Sequence, residues 1–359
     1  MGKGVFPEPP DVNRMQKKVL VIKLGTAVIT DNEGKVNHAI IEKISTEIAG
    51  LNAGYNIVLV SSGAVGSGKS FIKDYKGSLN ERKAAAAVGN PILIQLYHKY
   101  FYRHGITIAQ ALCERHHFSN RTQFLQLKDT FTEFWKNNII PVVNENDLVS
   151  NVELKFSDND ELATLMAVGL FADTLIICTS VGGLRDDQKK IIPFVENVDE
   201  NILKFVTKDK SVTGLGGMVS KLTFTKLATS LGIRVIITGI GNDASFDAAL
   251  QGKCGSTFAA KKSTLKARQK WLANGSITLG SIIVDEGAAK ALKQRKSLLA
   301  VGITTVEGDF SAQEAVQVLD AANNIIGVAK TRLSAVEIKN SVQQKNTIAA
   351  HADDIVIFN

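Results

Sequence analysis

The sequence is short of most features that mark a metal-bound, disulfide-bonded or membrane protein. Only three cysteines occur in 359 residues, Cys113, Cys178 and Cys254. They lie far apart, without the spacing of a metal site or a disulfide framework. They read as reduced thiols, with Cys178 buried inside an apolar strand pattern, and no protein metal site is expected. Long apolar stretches are also missing, because runs such as Val19-Leu20-Val21-Ile22 are much shorter than a membrane span. Proline is scarce, at six residues, and three of these fall between Met1 and Asp11. That stretch has no apolar core, so residues 1–16 read as a disordered leader and not as a signal peptide. Together these absences point to the cytoplasm and away from a membrane.

What remains is the composition of a globular protein, 45% hydrophobic and 21% charged with 29 glycines. The length suits about two domains. The net charge is +7, and five positive charges with no acid fall between Lys261 and Lys270. Such a run serves as a solvated linker or meets RNA.

Apolar runs alternate with helical patterns along most of the chain. Strands are expected at Val19–Ile22, Asn56–Val60, Ile106–Leu112, Ile139–Val143, Thr174–Thr179 and Arg234–Thr238. Helices are expected over Ala39–Leu51, Thr122–Lys136, Glu161–Phe171 and Met218–Leu231, with Ala84–Tyr102 interrupted at Asn90-Pro91. This alternation predicts a three-layer αβα sandwich around a mainly parallel sheet. Polar segments at Lys23, Ser62, Asn144 and Thr179 each follow an apolar strand, where ligands bind in such sheets. The texture changes after a basic linker, 261–274. Short strands at Ile282–Val284, Ile303–Val306 and Ile325–Val328, with one helix over Glu286–Arg295, predict a small β-rich domain over 275–359. The preceding domain spans 17–260.

One motif is a decoy. Gly63-Ala64-Val65-Gly66-Ser67-Gly68-Lys69-Ser70 matches the P-loop pattern and follows a strand. A P-loop must open a substantial helix, yet Gly77 ends this segment almost at once. No apolar strand here ends in the aspartate that such enzymes use for magnesium. A dispersed phosphate site is the alternative. Lys23 precedes Gly25 at a strand end, and Thr213 to Lys221 is a glycine-rich loop opening a helix, with Lys221 one turn inside. Taken singly, Lys23 is also an ordinary strand-end lysine and the glycine-rich stretch a flexible loop. Asn144-Glu145-Asn146-Asp147 and Ser157-Asp158-Asn159-Asp160 supply either a surface acidic hairpin or groups for a substrate ammonium and carboxylate. A carboxylate acceptor fits this set. With a pKa near about 4.3 it is already ionised at neutral pH and needs no general base. It needs cations to bring two anions together and to neutralise the transferring phosphoryl group.

These motifs in this order resemble the amino acid kinase family, in the branch that phosphorylates glutamate and carries a C-terminal PUA domain. The resemblance covers residues 17 to 355. Lys23-Leu24-Gly25-Thr26 resembles its first nucleotide motif and Ser61-Ser62-Gly63-Ala64-Val65 its glutamate loop. Asn144 to Asp147 and Asp158-Asn159-Asp160 resemble its substrate segments, and Leu215-Gly216-Gly217-Met218-Val219-Ser220-Lys221 its nucleotide loop. The resemblance implies that Lys23 and Lys221 stabilise the transferring phosphoryl group and that Asp160 orients both. It implies glutamate binding by Ser62, Gly63, Asn144, Asp147, Asp158 and Asn159. It implies nucleotide contacts from Thr179, Ser180 and the loop from Leu215 to Lys221. ATP, Mg²⁺, a glutamyl 5-phosphate product and the first step of proline synthesis follow from it. So do feedback inhibition by proline, a homo-oligomer (dimer or tetramer) and a functional link to glutamyl phosphate reductase. The chain departs from the pattern at Ala27, where serine is common, at Ser180, where aspartate is usual, and by one residue before Gly216. The tail has few aromatics suited to stacking bases, which argues against RNA binding as its main role.

Overall fold

The structure, a computed structural model, describes residues 17–31, 34–114, 117–118, 121–148, 159–199, 201–202, 205, 217–241, 243–262, 280–312, 314–323, 325–342, 344 and 346–357. The predicted leader, most of the basic linker, and Asp158, Leu215 and Gly216 lie outside these residues.

The first domain is built on one eight-stranded sheet. Its strands in chain order are β1 (Lys18–Leu24), β2 (Tyr55–Ser61), β3 (Thr107–Cys113), β4 (Ile139–Glu145), β5 (Thr174–Cys178), β6 (Phe194–Val195), β7 (Arg234–Thr238) and β8 (Ser256–Phe258). They lie in the order β3-β4-β2-β1-β5-β7-β8-β6, and every pairing is parallel except β7 with β8. The central strands are apolar at consecutive positions because both faces are covered. In β1, Val21 packs into one core while Leu20, Ile22 and Leu24 pack into the other. β5 and β7 divide the same way, with Leu175, Ile177, Val235 and Ile237 on one face and Ile176, Cys178 and Ile236 on the other.

Helices cover both faces. On one side lie α2 (His38–Leu51), α4 (Leu79–Tyr102) and α8 (Phe246–Leu250), following the short α1 (Thr26–Ile29) and α3 (Ala64–Gly68). On the other lie α5 (Arg121–Lys136), α6 (Asn159–Gly169) and α7 (Met218–Ser230). This is the expected αβα sandwich. One local expectation fails: α4 runs unbroken through Asn90 and Pro91. A proline inside a helix loses one hydrogen bond. A capping box between Ser78 and Glu81 secures the start of this helix, and Leu93, Tyr97 and Phe101 anchor its buried face.

The second domain has a five-stranded sheet in the order β11-β9-β12-β13-β15, with β9 (Gly280–Val284), β11 (Ile303–Gly308), β12 (Ala315–Leu319), β13 (Ile325–Lys330) and β15 (Ile355–Ile357). The pair β10 (Leu298–Leu299) and β14 (Ile348–Ala350) is antiparallel. The expected helix appears as α9 (Glu286–Lys293), and a second one, α10 (Ala335–Ser341), was not anticipated. It starts from a capping box between Ser334 and Glu337.

Candidate active site

Register brings the polar segments to one edge. Leu24 on β1 stands opposite both Ser61 on β2 and Cys178 on β5, so the loops after these three strands leave the sheet at the same level. Side chains alternate along a strand, so Lys23 shares the face of Val21 and points into the layer holding α6 and α7. Asp160 is the second residue of α6 and Lys221 lies in the first turn of α7. The three meet there. Lys23 Nζ lies 2.6 Å from Asp160 Oδ1 and Lys221 Nζ lies 3.0 Å from Asp160 Oδ2. Asp160 is 0% exposed, Lys23 5% and Lys221 8%. Charges so deeply buried are tolerated only when paired. One carboxylate thus holds two ammonium groups in fixed positions, a cationic clamp suited to an anionic reaction centre.

Beside the clamp runs a chain of amides and hydroxyls. Asn159 Nδ2 donates to Ser61 O (3.0 Å), Ser62 Oγ (2.9 Å) and Asn144 Oδ1 (3.3 Å). Asn144 Nδ2 donates to Asn90 Oδ1 at 3.0 Å, and Asn144 Oδ1 also accepts from the Glu145 amide at 2.9 Å. Gly63 takes φ +98°, and a Cβ there would lie 2.7 Å from Ile29 Cδ1, so the turn after β2 requires glycine. Ser62, Gly63, Asn144 and Asn159 therefore converge, and Asp147 lies half-buried in the turn just beyond β4. Asn144 and Glu145 are buried, which rules out a surface acidic hairpin at this segment. Asn90 and Tyr97, whose hydroxyl lies 2.8 Å from Ser61 Oγ, were not foreseen. The available signal was the polar Asn90 inside an apolar helical pattern, which sequence reading took as a break.

On the other flank, Thr179 is buried, and its amide donates to Thr238 O at 2.8 Å, while Ser180 is exposed. Gly217 caps α7 without a side-chain hydrogen bond, and Met218 and Ser220 lie half-buried in its first turn. Val219 belongs to the same turn, and its side chain lies outside the described residues. Burial holds the thiols of Cys178, next to this region, and Cys113, at the end of β3, up at about 12, protonated and inert.

The P-loop match has a packing explanation. Residues 64–68 form a short helix followed by a 3-10 turn over Lys69–Phe71, and the long helix a P-loop requires does not follow. A Cβ on Gly68 would strike the Ala85 carbonyl and lie 2.7 Å from Gly89 N, while one on Gly89 would strike the Ala64 carbonyl. These glycines let α3 and α4 touch backbone to backbone. Lys69 is half-buried, with its Nζ lying over Gly34, 2.5 Å from where a Cβ would stand.

Comparisons with known proteins give the family and the fold. Residues 18–239, more than half of the chain, match the amino acid kinase family, and residues 280–350 match the PUA domain. A glutamate 5-kinase from Aquifex aeolicus is 37% identical over 355 residues, covering 94% of this chain and 99% of its own. One from Thermoanaerobacter sp. (strain X514) is 35% identical over 331 residues, covering 89% of each chain. A carbamate kinase from Giardia lamblia bound to AMP-PNP shares the fold, with a TM-score of 0.50 at 20% identity over 68% of this chain and 99% of that one. The chain belongs to the amino acid kinase family.

Proposed function

We propose that the chain transfers the γ-phosphoryl group of ATP to the side-chain carboxylate of L-glutamate, forming L-glutamyl 5-phosphate, the first step of proline synthesis. The observation that carries this is the clamp of Lys23 and Lys221 on Asp160 beside the amide network of Ser62, Asn144 and Asn159. The acceptor carboxylate is already charged, so the residues need not remove a proton. Lys23 and Lys221 draw the nucleotide and acceptor anions together and neutralise charge on the transferring group. Asp160 holds both ammoniums in place beforehand, so little reorganisation is needed when the anions arrive. Ser62, Gly63, Asn144, Asp147, Asp158 and Asn159 bind glutamate. Thr179, Ser180 and the segment from Leu215 to Lys221 line the nucleotide.

The buried cations fit a triphosphate. Mg²⁺ would arrive bound to that triphosphate. It supplies further neutralisation of phosphate charge. The proposal extends to inhibition by proline, assembly into homo-oligomers and division into domains at 17–260 and 275–359. It includes a link to glutamyl phosphate reductase, since an acyl phosphate hydrolyses readily unless consumed. A cytoplasmic location accords with the described helices, none of which is long and apolar enough to cross a membrane.

The test is a hydroxamate assay with glutamate, ATP, Mg²⁺ and hydroxylamine, repeated with added proline. Glutamyl hydroxamate should accumulate in proportion to enzyme and ATP. No signal with glutamate from folded protein, whether or not acetylglutamate gives one, overturns the reading.

A further inference from the structure

Helices α6 and α7 lie side by side and run the same way. Each starts at the ligand edge of the sheet, and each delivers the chain to the opposite edge, where Asp173 N donates to Val19 O and Arg234 N donates to Asp173 O. Their first turns are joined by Asp160 and Lys221. One helical turn further on, Asp160 is followed by Thr164 and Lys221 by Thr225. The layer below the ion pair therefore places two threonines on the same faces of the same helices.

Both threonines are 0% exposed, and neither hydroxyl has a hydrogen-bond partner among the described residues. Threonine in a helix usually donates to the carbonyl four residues back, as Thr229 does to Thr225 O at 2.9 Å. Thr164 and Thr225 do not use that route. Leu165, Met166, Leu222 and Ala228 on the same two helices belong to one buried apolar cluster. Stranding two hydroxyls there is costly, and valine would fill the same volume without that cost.

We propose that Thr164 and Thr225 form a hydroxyl rung between α6 and α7 through one shared water, and so position Lys221 for phosphoryl transfer. Lys221 rides on α7, whose preceding loop must accommodate the nucleotide. A polar link one turn below the ion pair fixes how deeply α7 seats on α6, which apolar contacts alone do not specify. The two threonines touch neither substrate nor phosphate, so they are positioning residues. Their kinetic role rests on the kinase reading above.

The test is a double-mutant cycle in the full chain. Thr164→Val and Thr225→Val are each expected to lower kcat about three- to tenfold, the equivalent of one hydrogen bond. KM for ATP and for glutamate should stay within about twofold. The double variant should lose no more than the worse single one, because a shared link is removed only once. Thr164→Ser and Thr225→Ser keep the hydroxyl and should keep wild-type kcat. Unchanged kcat in both valine variants, losses that multiply in the double variant, or serine variants as slow as valine ones would each overturn the rung. If a valine variant does not fold, alanine at that position takes its place in the cycle. Thermal unfolding of the same proteins reads the link without reference to activity. Shifts in Tm should be non-additive, and additive shifts would reject the rung whatever the enzyme does. A wild-type protein inert toward glutamate but with non-additive Tm shifts would count against the proposed function and for the rung.

Discussion

Lys23 and Lys221 sit on opposite oxygens of one buried carboxylate, that of Asp160, at 2.6 Å and 3.0 Å. Neither lysine alone defines a site. Held this way they present two cations at a fixed separation, which solvent-exposed lysines on flexible stems do not do.

Asp160→Asn keeps the shape of the side chain and removes the charge that makes the clamp tolerable. Breaking a buried ion pair from one side costs about 3–5 kcal/mol. The variant is therefore expected to lose several degrees of Tm and to lower kcat by about two to three orders of magnitude. Calorimetry and the hydroxamate assay read the two effects. A variant with wild-type turnover would remove Asp160 from the mechanism.

Lys221→Ala and Lys69→Ala separate the dispersed site from the P-loop match. Lys221→Ala should lower kcat about a thousandfold with the fold intact, because the proposed function uses this cation on the transferring group. Lys69 lies over Gly34 and outside the Asp160 clamp, so its truncation should leave kcat near the wild-type value. A dead Lys69→Ala enzyme beside an active Lys221→Ala enzyme would reverse the assignment.

Asn90→Ala tests a residue of α4 that supports the amide network proposed to bind glutamate. It removes the acceptor for Asn144 Nδ2 and leaves a buried donor unpaired, at a cost of about 1–3 kcal/mol. KM for glutamate should rise while KM for ATP holds. Equal changes in both would mean that the network does not face the acceptor.

Gly89→Ala should act on stability and not on chemistry. Its Cβ would strike the Ala64 carbonyl and lie 2.8 Å from Gly68 N, so α3 and α4 must separate. Overpacking of this kind costs about 1–3 kcal/mol, measurable as a lower denaturant midpoint. An unchanged midpoint would show that the helices give way freely.

Cys113 and Cys178 should resist thiol reagents at pH 8 until the protein unfolds, while the half-buried Cys254 reacts first. Burial raises both thiols from an ordinary 9.0 to about 12. A raised pKa stabilises the fold fully below the unfolded value and loses that contribution as pH climbs through the folded value. Stability should therefore fall between about pH 9 and pH 12, and replacing both cysteines with alanine should flatten that part of the pH profile. Two fast thiols at pH 8 in folded protein would contradict the burial.

Strand and helix periods, with the polar segments placed after apolar strands, were enough to determine the layered parallel fold. Polar segments after apolar strands point to Lys23, Ser62 and Asn144 and the glycine-rich loop points to Lys221, because those signals are local; Asp160 comes from the family resemblance. The capping box from Ser334 to Glu337 is equally local, a serine followed three residues on by a glutamate. Other features needed the tertiary structure. Nothing near Asn90 or Pro91 in the chain shows that the helix continues, because its support comes from buried contacts and from Asn144 on a distant strand. Nothing in the spacing of Gly63, Gly66 and Gly68 distinguishes a phosphate cradle from a helix crossing, because both need room beside the backbone. Only the approach of Gly89 settles it. The pairing of Lys23 with Lys221 through Asp160 is likewise a product of sheet order, since β1, α6 and α7 become neighbours only when β1 pairs with β5 and β5 with β7. Sequence determines which groups are available, and packing decides which of them share one charge.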